Sequence, residues 1–201
     1  MKTISIIIGF LLSGFFLVGC LEKEKPVLRP DQPTGTVQEA KLSGQALVKR
    51  GEYLVNAIGC DDCHSPKSEM GPHGPEIDPA RRLSGHPSDQ QLAPVKDKSV
   101  LKNYALADMS LTAWIGPWGT SYAANLTPDD TGLGNWTEAQ FIKAIREGKF
   151  KGLDGGRPLM PPMPWFVYKN LNDEDLRAIF AYLQSLPPVK NVVPAYAPPA
   201  S

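Results

Sequence analysis

The sequence predicts an all-α domain whose helices are joined by long loops. Three segments, beginning near residues 43, 137 and 172, repeat apolar residues at helical spacing, which is typical of helices that bury one face. The chain also contains 20 Pro and 18 Gly among its 201 residues, and this favours loops and turns. Residues 67–122 show no strong pattern, so we expect long loops and short helical turns there.

The first predicted helix has Ser43 as its candidate cap and runs to about Ile58. Gly51 lies on its apolar stripe, although a glycine inside a helix costs about 1 kcal/mol relative to alanine. This position indicates either a close approach by another element or a tolerated defect.

The other two predicted helices have clear end signals. The second begins after Thr137, which is placed for a capping box, and ends near Gly148. The third begins at Asn172 with acidic residues in its first turn, and the prolines at 187–188 end it.

The composition excludes several classes of protein. Lys and Arg number 21 against 21 Asp and Glu, so the formal net charge is zero, whereas nucleic-acid binders usually show a basic excess. Three cysteines are too few for a disulfide-rich scaffold. The sequence contains neither a Gly-rich nucleotide-binding fingerprint nor a Gly-x-Ser-x-Gly elbow.

The N-terminus has the pattern of an export signal. A short positive start is followed by an almost wholly apolar run at 4–18, which is short of the ~20 residues that a membrane span needs. We therefore predict a signal peptide over residues 1–19, with a permanent transmembrane anchor as the alternative.

The segment Leu17-Val18-Gly19-Cys20 resembles the lipobox of bacterial lipoproteins, in which cleavage leaves a lipid-modified cysteine at the new N-terminus. We predict lipidation at Cys20. Residues 20–42 are rich in charge and proline and lack an apolar period, so they are expected to form a flexible tether, with packing on the domain as the alternative. The protein is then expected in the bacterial cell envelope, lipid-anchored and facing the periplasm or the exterior.

The strongest chemical signal is the pentapeptide Cys60-Asp61-Asp62-Cys63-His64. The pattern Cys-x-x-Cys-His is typical of a c-type haem attachment site. Two thiols at this spacing can form thioethers with the vinyl groups on one haem edge, and on a helix the adjacent imidazole lies on the same side. We predict one haem c, bound covalently to Cys60 and Cys63, with His64 as an axial ligand of the iron.

Three other chemistries use similar residues. A zinc site needs four ligands, but His73 and His86 lie in Gly/Pro-rich loops at no zinc-finger spacing. A thioredoxin-like pair needs a βαβ context, which the pattern lacks. A disulfide between the two cysteines of the motif would leave His64 without a role.

The early helix that leads into this motif, together with a late helix that contains Ala181-Tyr182-Leu183, resembles a class I cytochrome c. The resemblance covers residues 43–194 and implies the class I cytochrome c fold. In that family the first and last helices cross with a glycine against an aromatic residue, and Gly51 and Tyr182 match these roles. Residues 67–122 then form an extended insertion between the haem motif and the middle helix, and residues 195–201 a C-terminal tail.

The second axial ligand is expected in the Pro-rich segment 157–165, which contains Met160 and Met163. Polyproline geometry would place both side chains on one face about 9 Å apart, and spacing cannot choose between them. The resemblance chooses Met163, because similar exported cytochromes bind iron through a Met-Pro-aromatic unit before the last helix. His73 and His86 are further candidates, and a surface or loop-fixing role suits His86 better. The resemblance also makes the carbonyl of Pro66 the expected partner of the other ring nitrogen of His64.

The resemblance implies an electron carrier and not an enzyme. Single electrons would pass between respiratory or dehydrogenase partners at the periplasmic side of a membrane. The expected partners are a redox protein donor and acceptor (a dehydrogenase, an oxidase or another cytochrome) and the membrane, with no nucleic acid and no small-molecule substrate. If no methionine reaches the iron, the open position would instead indicate a haem peroxidase or a gas-binding haem sensor.

Overall fold

The computed structural model describes residues 41–72 and 74–199. The predicted signal peptide (1–19) and nearly all of the predicted tether (20–42), including Cys20, lie outside the described residues, as does His73. No helix in the described part of the chain is both long and apolar enough to cross a bilayer.

The helices occupy the regions that the apolar patterns indicate, with one short helix added before the last. In chain order they are α1 (Gly44–Ala57), α2 (Cys60–His64), α3 (Glu138–Glu147), α4 (Trp165–Tyr168) and α5 (Asp173–Ser185). Single 3-10 turns lie at Pro79–Arg81, Lys98–Lys102 and Phe150–Gly152.

The predicted ends of α3 and α5 are confirmed. Thr137 and Gln140 form a reciprocal capping box at the start of α3, and Gly148 ends it in the left-handed conformation with φ 64°. The side chain of Asn172 accepts from the backbone N–H of Asp175 at 2.7 Å at the start of α5. At α1 the outcome differs, because Ser43 occupies the cap position without a side-chain hydrogen bond.

Helices α1 and α5 cross in direct contact, and Gly51 lies at the crossing. A Cβ added to Gly51 would overlap the backbone carbonyl of Ala178 and lie 2.7 Å from Cβ of Tyr182. Gly51 and Tyr182 therefore take the positions that the resemblance assigned to them, and the glycine is required by close packing.

The core is built mainly from α1, α3 and α5. Its largest buried apolar side chains are Leu54, Val55, Leu83, Leu133, Phe141, Ile145, Leu176, Ile179, Phe180, Tyr182 and Leu183. The rings of Phe141 and Phe180 lie 5.4 Å apart, so α3 and α5 share an aromatic contact.

The insertion contains two small antiparallel sheets in addition to turns. One is a hairpin of β1 (Lys67–Gly71) and β2 (Gly74–Ile77), and the other joins β3 (Leu106–Ala107), β4 (Ala113–Gly116) and β5 (Gly119–Tyr122). The helical framework therefore agrees with the all-α prediction, whereas the insertion contains short strands that this prediction did not include. These strands are only two to five residues long, too short to show an alternating pattern.

The residues expected to form a C-terminal tail pair with this sheet. The backbone of Ala197 exchanges two hydrogen bonds with Thr120, of 2.8 and 3.0 Å, and the hydroxyl of Tyr196 donates to the carbonyl of Trp118 at 2.5 Å. The described residues after 194 thus extend the edge of the sheet at β5.

Replacing Gly51 with alanine should destabilise the fold, because the added methyl group meets backbone atoms of α5 that cannot rotate away. Overpacking of this kind costs about 1–3 kcal/mol, measured as the free energy of unfolding in urea. Gly156→Ala is the matched control, since the nearest atom to its added Cβ is 3.4 Å away. Equal stability of the two variants would contradict the close crossing.

Candidate haem site

The segment Cys60–His64 forms its own short helix directly after α1. Gly59 makes the turn between the two helices with φ 76°, a conformation that favours glycine. Cys60 and Cys63 are both free, half-buried thiols, so the motif residues are presented on one short element as the spacing predicts.

A cavity of about 880 Å³ opens beside this helix, at the upper end of the range for cofactor sites. Cys60, Cys63, His64, Met160 and Met163 all line it. Most of the remaining wall is apolar and comes from the end of α1, from α3 and α5, and from the loops before α3 and α5. Its apolar residues include Ile58, Leu126, Leu133, Phe141, Ile145, Leu159, Leu176, Ile179 and Leu183. Size, thiols, imidazole and apolar walls together fit a haem c.

The imidazole of His64 is oriented by a backbone carbonyl. Its Nδ1 lies 2.7 Å from the oxygen of Ala124, and because a carbonyl can only accept, Nδ1 carries the proton. The other nitrogen, Nε2, is then the one available to a metal. Burial lowers the pKa of His64, which favours the neutral imidazole that binds metals.

The prediction that the carbonyl of Pro66 accepts from the ring of His64 is wrong. Its carbonyl accepts instead from the backbone N–H of Asp78 at 2.8 Å. Ala124 reaches His64 because the chain leaving β5 runs beside α2, where Gly85 also donates to the backbone carbonyl of His64 at 2.8 Å. No signal in the sequence marks an alanine carbonyl for this role, since the contact spans 60 residues.

The C-terminal end of α2 is held by the ammonium group of Lys67. It donates to the backbone carbonyls of Asp61, Asp62 and Ser65 at 3.1, 2.7 and 2.7 Å. A cation at this end also complements the helix dipole. Burial lowers the pKa of Lys67, in keeping with an ammonium group partly removed from water.

The other side of α2 is tied to the crossing helices by Arg82. Its guanidinium donates to the Asp61 carboxylate at 2.6 Å, to the Tyr182 hydroxyl at 2.6 Å and to the Asn56 side chain at 2.8 Å. One cation thus links α1, α2 and α5, so the position of the haem motif depends on the helix crossing.

The two thiols are uncharged near neutral pH. Burial, followed by the neighbouring charge of Asp61, raises the pKa of Cys60 to about 12. Burial is also the main cause of the raised pKa of Cys63. Tyr168 also lines the cavity, and its hydroxyl donates to the carbonyl of Ile58 at 2.8 Å.

The two methionines lie on a bent segment, so the prediction of an extended polyproline geometry is wrong for this segment. The backbone N–H of Met163 donates to the carbonyl of Met160 at 3.2 Å, which closes a turn at Pro161-Pro162. Met163 packs against the buried core, and both methionines line the cavity. The carbonyl of Pro161 accepts from the Ser121 hydroxyl at 2.5 Å, which ties this turn to β5.

His86 is fully buried and lies outside the cavity wall. Its Nδ1 is 2.8 Å from the Thr112 hydroxyl and its Nε2 is 3.3 Å from the carbonyl of Gln90. Both ring nitrogens therefore contact loop residues, which agrees with the loop-fixing role and leaves neither nitrogen for the iron.

Comparisons with known proteins agree with this geometry. Residues 127–187 match the family model of cytochrome c. Among similar proteins, the gluconate 2-dehydrogenase cytochrome c subunit of Pantoea cypripedii is 33% identical over 74% of this chain and 26% of its own length. The fructose dehydrogenase cytochrome subunit of Gluconobacter japonicus is 41% identical over 69% of this chain and 21% of its own length. The chain thus spans about a quarter of these relatives.

A third relative, the cytochrome c subunit of the quinone-type alcohol dehydrogenase of Gluconobacter oxydans, is 31% identical over 71% of this chain and 22% of its own length. An α-helical domain with a Cys-x-x-Cys-His motif beside an apolar cavity is a haem-binding domain of the cytochrome type. The family match and these relatives confirm the prediction of a c-type cytochrome, and this family implies haem c as the cofactor.

Proposed function

We propose that this protein is an electron carrier with a single haem c, held by thioethers to Cys60 and Cys63, with His64 and Met163 as axial ligands. The observation that supports this most directly is that all four side chains line one apolar cavity. When bound, haem c supplies a one-electron couple between ferrous and ferric iron. The 201 residues contain one Cys-x-x-Cys-His motif, which supports one haem.

The protein residues would set the properties of this couple. The carbonyl of Ala124 fixes the tautomer and ring orientation of His64, and such a hydrogen bond raises the basicity of a histidine ligand. A methionine thioether favours the ferrous state relative to a second histidine and raises the reduction potential. Ligation by both Met163 and His64 leaves no position for peroxide or a gas, which is why we favour a carrier over a peroxidase or a sensor.

The relatives support a dehydrogenase as the electron donor. The three described above are named as cytochrome subunits of gluconate, alcohol and fructose dehydrogenases. We therefore propose that this chain receives electrons from a dehydrogenase and passes them to another redox protein, such as an oxidase or a second cytochrome. Such a role needs neither a small-molecule substrate nor nucleic acid.

The proposed location follows from the N-terminal sequence. An apolar run at 4–18 that ends in Leu17-Val18-Gly19-Cys20 supports export and lipidation. The cytochrome would then be held at the envelope by lipid on Cys20 and would meet its partners at the periplasmic side or the exterior.

Covalent attachment is tested by haem staining after denaturing electrophoresis. The wild-type chain, produced with the cytochrome c maturation system, should keep its stain, because thioethers survive denaturation. The double variant Cys60→Ala/Cys63→Ala should lose the stain completely, whereas Met163→Ala should keep it. A wild-type band without stain, or a double variant with stain, would overturn the proposal.

Replacing Met163 with alanine tests the second ligand. The ferric protein should become high-spin or its potential should fall by an appreciable part of the roughly 0.8 V range that axial ligands set. The weak red absorption band of methionine–iron ligation should also disappear. Met160→Ala is the matched control and should keep both the band and the potential; the reverse result would make Met160 the ligand.

Replacing Cys20 with serine tests the lipid anchor. The variant should appear as soluble or uncleaved protein in fractionated cells, because serine cannot form the thioether to the lipid. Metabolic labelling with a fatty acid should mark the wild-type chain only. A processed Cys20→Ser protein that stays in the membrane would refute anchoring through this residue.

A further inference from the structure

The segment Leu83-Ser84-Gly85-His86-Pro87 is buried throughout, although it contains neither helix nor strand. None of its residues lines the haem cavity. Backbone N–H and C=O groups that are buried outside regular structure need other hydrogen-bond partners. The partners of this segment therefore show which part of the molecule it supports.

The segment contacts both sides of the hydrogen bond between His64 and Ala124. The N–H of Gly85 donates to the backbone carbonyl of His64 at 2.8 Å. The next N–H, of His86, donates to the carbonyl of Ala123 at 3.0 Å. A Cβ added to Gly85 would lie 2.6 Å from the carbonyl carbon of Ala124 and 2.7 Å from its oxygen. The segment thus packs directly against the carbonyl group that accepts from the imidazole of His64.

The imidazole of His86 ties this segment to the chain around β5. Its Nδ1 lies 2.8 Å from the hydroxyl oxygen of Thr112, which directly precedes β4. The carbonyl of Thr112 accepts from the backbone N–H of Ala123 at 2.8 Å. Together with the bond from His86 to Ala123, these contacts form a closed ring of three hydrogen bonds. Ala124 is the next residue along the chain, so this ring determines where its carbonyl lies.

The hydrogen bonds of this network run in one direction, because the network ends on a carboxylate. Asp108 can only accept, so the hydroxyl of Ser110 donates to it at 2.5 Å. Ser110 then has no proton left for Thr112, so Thr112 donates across their 2.6 Å contact. The hydroxyl oxygen of Thr112 is therefore an acceptor for His86, and Nδ1 of His86 carries the proton. Burial lowers the pKa of His86, which favours the neutral ring.

Other contacts hold the segment independently of the His86 ring. The side chain of Asn191 donates to the backbone carbonyls of Ser84 and His86 at 2.7 and 2.9 Å. The N–H of Leu83 donates to the hydroxyl of Ser65 at 2.8 Å. We therefore expect a variant that lacks only the imidazole to keep the fold of the domain, while its closed ring of hydrogen bonds is broken.

We propose that His86 is a positioning residue for the axial ligand His64, an inference that rests on the proposed haem c. Through its bond to Thr112, the ring of His86 keeps the carbonyl of Ala124 within hydrogen-bond distance of Nδ1 of His64. That bond orients the ligand and raises its basicity. A more basic imidazole stabilises ferric iron relative to ferrous iron, so loss of the His86 ring should favour the ferrous state.

The experiment compares full-length, haem-loaded proteins in detergent by redox titration and by NMR of the ferrous state. His86→Leu removes the donor but keeps a side chain of similar size. Its equilibrium should shift toward ferrous iron by about tenfold, which is about 59 mV for a one-electron couple. The Nδ1 proton of His64 should also exchange with deuterated water faster than in the wild type, because its acceptor is no longer held in place.

Further variants test the route through Thr112. Thr112→Val removes the hydroxyl that accepts from His86 and should reproduce the shift in potential. The double variant His86→Leu/Thr112→Val should shift no further than either single variant, because both break the same bond. His86→Asn places an amide N–H near the position of Nδ1 and should restore most of the wild-type potential.

Thr137→Val is the matched control, because it removes a hydroxyl from the capping box of α3, outside the cavity wall. It should lower the stability of the fold in urea and leave both the potential and the proton exchange unchanged. An equal shift in this variant would assign the effect to lost stability and overturn the inference.

The inference also fails if His86→Leu matches the wild type in both measurements, or if the double variant shows the sum of two shifts. Stained haem would in these cases still support the electron carrier. If His86→Leu yields no holoprotein, Thr112→Val decides: an unshifted potential overturns the role of His86 and a shifted one supports it. Failure of haem staining in the wild type would overturn the carrier itself.

Discussion

The close crossing of α1 and α5 is the contact on which the rest of the site depends. Gly51 lets the two backbones approach until no Cβ fits between them, and this brings Tyr182 next to Gly51 in the middle of α1. Because α2 follows α1 after a single glycine turn, the crossing also fixes where Cys60 begins the haem motif. Arg82 links α2 to this crossing, because its guanidinium donates hydrogen bonds both to Asp61 in α2 and to Tyr182 in α5.

Helix α2 is too short to be stable by itself, so its surroundings must hold it in place. Lys67 satisfies three carbonyls at its C-terminal end, and Arg82 holds its acidic side. The carbonyl of Ala124 then orients the imidazole of His64. The insertion supplies Lys67 and Arg82, and Ala124 lies just after its last strand, β5. The small sheets therefore act as the support of the haem motif.

The far wall of the cavity comes from segments that carry no regular pattern. The turn at Pro161-Pro162 is tied to Ser121, and Tyr196 is tied to Trp118, so β5 and its turn position both the methionine segment and the C-terminal residues. Arg157 lies on this wall between two aromatic rings. These two contacts join Phe150 and Tyr196, which lie far apart in the sequence.

The sequence by itself determined the features that depend on local spacing. Four of these are short-range patterns that local chemistry explains directly: the Cys-x-x-Cys-His motif, the capping box at Thr137, the glycine stop at Gly148 and the cap at Asn172. Only the tertiary structure decided the features that join distant residues. It replaced Pro66 by Ala124 as the partner of His64, paired the short strands of the insertion, bent the methionine segment and placed Ala197 against Thr120. Backbone carbonyls and short strands have no side-chain signature, so their partners are set only when the chain has packed around the cavity.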